Sequence, residues 1–255
     1  MDSITVHLPA ETLELAVDQK GGGRPLLLLH GGAGPASMRP LFGALDEFHV
    51  ILPTHPGFDA TKRPTWLASI AGLADCYLAL LDQLELHDVI LVGNSVGGWI
   101  AAEMATRRPA SVAGCALIDA VGLQPTGSTG TIGDPRTIPF QDLIKKSFAN
   151  PSRAPRPSPD AMEQIRANQQ ALMIYAGDPF MHDPSLAERL PRIEMPSLVL
   201  WGRQDGIVTP EYGEEYAQRI PGARFQLVDD AGHLPQVEQP ALVARAIRDF
   251  ISSLS

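Results

Sequence analysis

The sequence predicts an α/β fold: a mostly parallel sheet of eight strands with helices on both faces and a small helical cap inserted after the sixth strand. Three observations predict it. Short, wholly apolar runs such as Leu26-Leu27-Leu28-Leu29 and Val89-Ile90-Leu91-Val92 suit strands buried on both faces. Between such runs, apolar residues recur at three- and four-residue spacing, the period of a helix packed against a sheet. The alternation then stops between about 120 and 194, where Gly, Pro, Ser and Thr are frequent, and resumes to the end. The core is therefore assigned to 1–119 and 195–255, and the cap, or lid, to 120–194.

Residues 4–8 and 12–17 alternate apolar and polar side chains around Pro9-Ala10-Glu11, the pattern of a half-exposed hairpin at a sheet edge. The glycines at 21–23 turn the chain into the buried run 25–29, and Val50-Ile51-Leu52 makes the next strand. A helix follows, with Leu67, Ile70, Ala71, Ala74, Leu78, Leu81 and Leu84 on one face. The run at 89–92 leads into a second helix that stops at Arg107-Arg108-Pro109, where cations suit the dipole and proline prevents continuation. Cys115-Ala116-Leu117-Ile118 forms the sixth strand. The insertion holds helical stretches at 136–149, 160–176 and 184–190. Beyond it, Ser197–Trp201 and Arg224–Val228 read as strands. The helices are Thr209–Ile220, with Thr209 as cap and Pro210 at the first position, and Pro240–Ile251.

Composition narrows the function classes. A chain of 255 residues with 44% hydrophobic content buries a sizeable core. The net charge of −9 is spread along the sequence, which argues against nucleic acid or an anionic membrane surface as partner. No run approaches the ~20 apolar residues of a membrane span, and the N-terminal residues lack a signal pattern, so a cytoplasmic protein acting on a small molecule is expected. Cys76 and Cys115 lie in apolar contexts and read as buried free thiols. There is no His-Glu-x-x-His, Cys-x-x-Cys, P-loop or Gly-x-Gly-x-x-Gly, so neither a metal nor a cofactor is expected.

The chemistry concentrates in loops that follow strands. Gly93-Asn94-Ser95-Val96-Gly97 joins a strand directly to a helix, an arrangement that exposes the serine hydroxyl on a strained turn. A serine hydroxyl is a weak nucleophile and needs a base. His233, after the eighth strand, supplies an imidazole, and Asp205, after the seventh, supplies a carboxylate to orient it. Asp119, at the end of the sixth strand, is an alternative position for that acid. The N–H groups of Val96 and of Gly32, in the His30-Gly31-Gly32 turn, are the expected oxyanion donors. His30 is expected to shape that turn rather than transfer protons. His55, beside Pro56-Gly57, is a further candidate for the pocket, as are the cap residues Phe140, Phe148, Met173, Phe180 and Met181.

These motifs, together with Pro56-Gly57-Phe58 and the Gly202–Asp205 turn with Ile207-Val208, resemble the α/β-hydrolase superfamily over nearly the whole chain outside the insertion. The resemblance implies a serine hydrolase with an acyl-serine intermediate, acting on small or medium carboxylic esters. Gly-Asn-Ser-x-Gly-Gly and His-Gly-Gly-Ala-Gly-Pro are also similar to the hydrolases that cleave carbon–carbon bonds of ring-fission products. Those enzymes usually carry an aromatic residue directly after the histidine, where Leu234 stands here as a candidate substrate contact. A third reading is a low-turnover ligand-binding protein of the same fold.

Overall fold

A computed structural model describes residues 2–127, 130, 132–154 and 157–254. Of the two Gly- and Pro-rich stretches of the insertion, residues 128, 129, 131, 155 and 156 lie outside the described residues. The chain opens with the hairpin β1 (Asp2–His7) and β2 (Thr12–Lys20), followed by β3 (Pro25–Leu29), α1 (Arg39–Ala44) and β4 (His49–Pro53). Next come α2 (Ile70–Gln83), β5 (Val89–Asn94), α3 (Val96–Thr106) and β6 (Val112–Ile118). The insertion carries α4 (Phe140–Ser147), α5 (Pro159–Ala176) and α6 (Leu186–Arg189). The chain closes with β7 (Ser197–Gly202), α7 (Pro210–Gln218), β8 (Arg224–Val228), α8 (Pro235–Glu238) and α9 (Pro240–Ser252).

The eight strands form one sheet in the order β1-β2-β4-β3-β5-β6-β7-β8. β2 runs antiparallel to both β1 and β4, and every pairing from β4 to β8 is parallel. The strands divide their side chains by parity, as a pleated sheet requires. Leu27, Leu29, Leu91, Leu117 and Val199 enter one apolar cluster with α2 and α3, whereas Leu26, Leu28, Ile90, Ile118 and Leu198 enter another with α9. The two faces are both covered, which explains why the central runs carry no polar alternation.

Two short helices, α1 and α8, lie below the length at which periodicity can be read. Elsewhere the differences from sequence are small. The helix expected from Leu67 begins at Ile70, because Ser69 caps it by accepting the Gly72 N–H at 3.1 Å. Thr209 occupies the cap position of α7, but its hydroxyl bonds the Glu211 carboxylate and makes no cap bond. The roots of the insertion pack with the sheet: Ala120, Val121, Leu123, Leu186, Leu190 and Ile193 all enter the core cluster. Both cysteines are free and buried, and burial pushes the thiols of Cys76 and Cys115 up to about 12 and about 11. Among the described residues no helix is long and apolar enough to cross a membrane.

Candidate active site

Ser95 stands between β5 and α3 at φ 54°, ψ −117°, a conformation unfavourable for a residue with a Cβ. Its surroundings hold it there. The Ser95 N–H donates to Ile118 O at 2.9 Å, and its carbonyl accepts from Trp99 and Val121 at 3.1 and 3.2 Å. The flanking glycines make the turn possible by close approach. A Cβ on Gly93 would collide with the backbone of Gly97, and one on Gly97 with the carbonyl of Leu29 at the end of β3. The same crowding brings the His30–Gly34 turn against the serine, since a Cβ on Gly31 would stand 3.0 Å from Ser95 Cβ. Gly32 lies in that turn, and Val96 directly follows the serine as the first residue of α3.

His233 reaches Ser95 from the loop between β8 and α8. Its Nε2 lies 2.9 Å from Ser95 Oγ, and its Nδ1 lies 2.8 Å from Asp205 Oδ2. A carboxylate can only accept, so Nδ1–H donates to Asp205 and Nε2 is left to accept the serine proton. Asp205 Oδ1 in turn accepts the N–H groups of Ile207 and Val208 at 2.7 and 3.0 Å, which fixes the carboxylate against rotation. All three residues are buried. Asn94 ties the halves together, donating from Nδ2 to Ile118 O and to His233 O at 3.2 and 3.1 Å.

Asp119 also comes to this cluster. It is fully buried at φ 44°, and its Oδ1 accepts the Gly202 N–H at 2.9 Å. Burial first, and then the charge of Asp205, push its carboxyl well above the ordinary carboxylate range. Single ligand atoms of Asp119, Asp205 and His233 lie within 4.8 Å of one another, the spacing a metal ion could use. The His233–Asp205 pair, however, is closed by its own hydrogen bond.

The remaining candidates are placed unequally. His55 does not line a pocket. It is fully enclosed, its Nε2–H donates to His30 O at 2.8 Å and its Nδ1 accepts the Tyr77 hydroxyl. The His55 backbone N–H donates to His30 Nε2 at 2.9 Å, and the rings stack 3.7 Å apart. Burial lowers the pKa of both imidazoles, that of His55 to about 4, and their hydrogen bonds make them struts beneath the His30–Gly34 turn. Met181 is buried within the core cluster, while Met173 and Phe180 pack partly against it. The Arg136 guanidinium lies 4.6 Å from the Phe180 ring centroid. Phe148 is buried, and its Cα would lie 3.0 Å from a Cβ on Gly232. Phe140 and Leu234 are half-buried at the starts of α4 and α8.

Leu172 had no distinguishing signal in the sequence, yet it covers the His30–Gly34 turn at Gly32. A Cβ on Gly32 would meet its Cδ2 at 2.6 Å. α5 is anchored in that position by two polar contacts. Asn168 exchanges hydrogen bonds with Asp59, and Tyr175 Oη donates to Pro56 O at 2.8 Å.

Comparison with known proteins agrees with this fold. A family model described as alpha/beta hydrolase fold matches residues 24–240. Lipase 3 of Moraxella sp. (strain TA144) is 26% identical, over 91% of this chain and 78% of its own length. A 2-hydroxy-6-oxo-2,4-heptadienoate hydrolase of Pseudomonas putida is 28% identical, over 94% of each chain. The structure of a thermophilic esterase from Thermogutta terrifontis superposes with a TM-score of 0.71 at 27% identity, covering 100% of this chain and 99% of that one. This chain belongs to the α/β-hydrolase family and is a hydrolytic enzyme.

Proposed function

We propose that the protein is a serine hydrolase that cleaves small or medium carboxylic esters through an acyl intermediate on Ser95. The observation that carries this reading is the continuous chain from Ser95 Oγ to His233 Nε2 and from His233 Nδ1 to Asp205. His233 takes the serine proton as Oγ adds to the ester carbonyl. The charge that develops on the carbonyl oxygen is received by the N–H groups of Val96 and Gly32. The imidazolium, steadied by Asp205, then protonates the departing alcohol. In the second half, His233 removes a proton from water as the water oxygen adds to the acyl carbon, and it returns that proton to Ser95 Oγ as the bond to the serine breaks and the acid leaves. The insertion acts as a cap, with α5 and Leu172 forming the roof over the acyl group and closing the site to bulk water.

A fluorophosphonate probe tests the assignment. Ser95 in the folded protein is expected to be labelled, and Ser95→Ala to lower ester hydrolysis on the order of 10⁴-fold. An unlabelled serine would instead favour a ligand-binding protein that keeps the fold.

A second reading, hydrolysis of a carbon–carbon bond, is supported by the Pseudomonas putida relative, whose name describes a hydrolase of 2-hydroxy-6-oxo-2,4-heptadienoate and which aligns over 94% of both chains. The same serine and histidine would serve a vinylogous diketone. Loss of the visible absorbance of a ring-fission dienol, at a rate exceeding that for every ester in a graded panel, would select it.

A further inference from the structure

The loops that carry Asp205 and His233 are fastened to the insertion at the end of α4, besides a bond from Gly133 N–H to Ile207 O at 2.9 Å. His233 N–H donates to Ser147 O at 2.9 Å, and Gly206 N–H, next to Asp205, donates to Lys146 O at 2.9 Å. The partner of this contact on the core side is Glu238, the last residue of α8. It is buried, and no cation pairs with it among the ion pairs of the described residues. Its carboxylate accepts three backbone N–H groups instead: Gly232 at 2.8 Å, Ala149 at 3.0 Å and Asn150 at 3.1 Å. One side chain therefore bridges the residue preceding His233 and the segment that leaves α4. A buried acid satisfied only by main-chain donors fixes those donors relative to one another. The approach is also sterically tight, because a Cβ on Gly232 would overlap the Ser147 backbone.

We infer that Glu238 is a positioning residue for the catalytic base: with the carbonyls of Lys146 and Ser147 it clamps the Asp205 and His233 loops to the insertion, so that the imidazole meets Ser95 only while α4 is docked. The inference rests on the reading of His233 as the base. Its chemistry is geometric. Small errors in the placement of a reacting group reduce turnover more than they reduce substrate binding, and a displacement near 1 Å costs on the order of 10²-fold.

The test compares wild type with Glu238→Gln and Glu238→Ala. Gln keeps the shape and one accepting oxygen but cannot satisfy all three donors. The expected result is a fall in kcat of about tenfold for Gln and up to about 100-fold for Ala, with KM within threefold and fluorophosphonate labelling slowed in parallel. Amide exchange, followed in the same proteins, is expected to quicken at Gly232, His233, Ala149 and Asn150. If the Ala variant does not fold, the Gln variant decides. Unchanged kcat in a folded Gln variant overturns the positioning role, as does a loss confined to KM or a loss matched by the unfolded fraction. Amide exchange reads the clamp independently of Ser95. A wild type that takes no label therefore defeats the serine-hydrolase reading alone, while unchanged exchange at Gly232 and His233 in the Gln variant defeats the clamp.

Discussion

Asp119 and Asp205 face the same imidazole from the ends of neighbouring strands, but they are supported unequally. Asp205 accepts two backbone N–H groups and the His233 ring, whereas Asp119 accepts only Gly202 N–H and its Oδ2 is buried without a close partner. Two adjacent buried carboxyls do not both ionise readily, and burial and the neighbouring carboxylate push that of Asp119 well above the ordinary range.

That inequality predicts opposite outcomes for one kind of substitution. Asp119→Asn replaces a neutral group by a neutral group and is expected to keep kcat/KM within threefold. Asp205→Asn loses the charge and the tautomer control, and is expected to cost on the order of 10⁴-fold. Stability should respond as well. A carboxyl whose pKa is raised by folding supports the fold fully only below its unfolded value, near 3.9, and that support is lost as pH rises toward the folded value. Urea unfolding should therefore show Asp119→Asn gaining on wild type between pH 4 and pH 7. A constant difference across that range would mean that Asp119 ionises as easily folded as unfolded.

The buried imidazoles act with the opposite sign. His55 has its pKa lowered to about 4 by burial, so the unfolded chain binds a proton that the fold refuses. Stability is present above the unfolded value near 6.5 and is lost as pH falls toward 4. Between pH 6 and 4.5 wild type is expected to lose stability faster than His55→Gln by roughly 1.4 kcal/mol per pH unit. Superimposable slopes from denaturant unfolding would remove His55 from this account.

Leu172 sets the third expectation. It rests on Gly32, beside the position assigned to the oxyanion, so its removal enlarges the space next to the acyl carbon. Leu172→Ala is expected to raise kcat/KM for branched acyl esters about tenfold relative to acetyl esters. A panel in which both rise or fall together would place the acyl group elsewhere.

Much of this was legible because it is local. A strand meeting a helix at Gly93-Asn94-Ser95-Val96-Gly97 is written in five consecutive residues, and the Asp205 and His233 loops announce themselves by following apolar runs. What was hidden depends on distant segments meeting. Nothing near Asp119 reports that Gly202 and Asp205 will lie beside it. Leu172 is one apolar residue among several in α5. His55 looked like a pocket residue because it is polar and precedes Pro-Gly, but Tyr77 and the His30 carbonyl satisfy its ring inside the core. Glu238 offered one faint signal, an acid between Pro235 and Pro240 in a stretch with no cation adjacent in sequence. The strand order was not readable either, since β3 inserts between β4 and β5 by a crossover.

The contact between α4 and the catalytic loops has a consequence for how such a protein can diversify. On the insertion side every participating atom is main chain: the carbonyls of Lys146 and Ser147 and the N–H groups of Ala149 and Asn150. Only the core contributes a side chain. Almost any amino acid except proline at 149 or 150 offers the same atoms, so the residues that face substrate can be rewritten through successive mutations while the joint survives. On the proposed reading, substrate range and placement of the base are in that sense inherited separately, the first in the side chains of the roof and the second in the main chain at the end of α4 and in Glu238, which meets it.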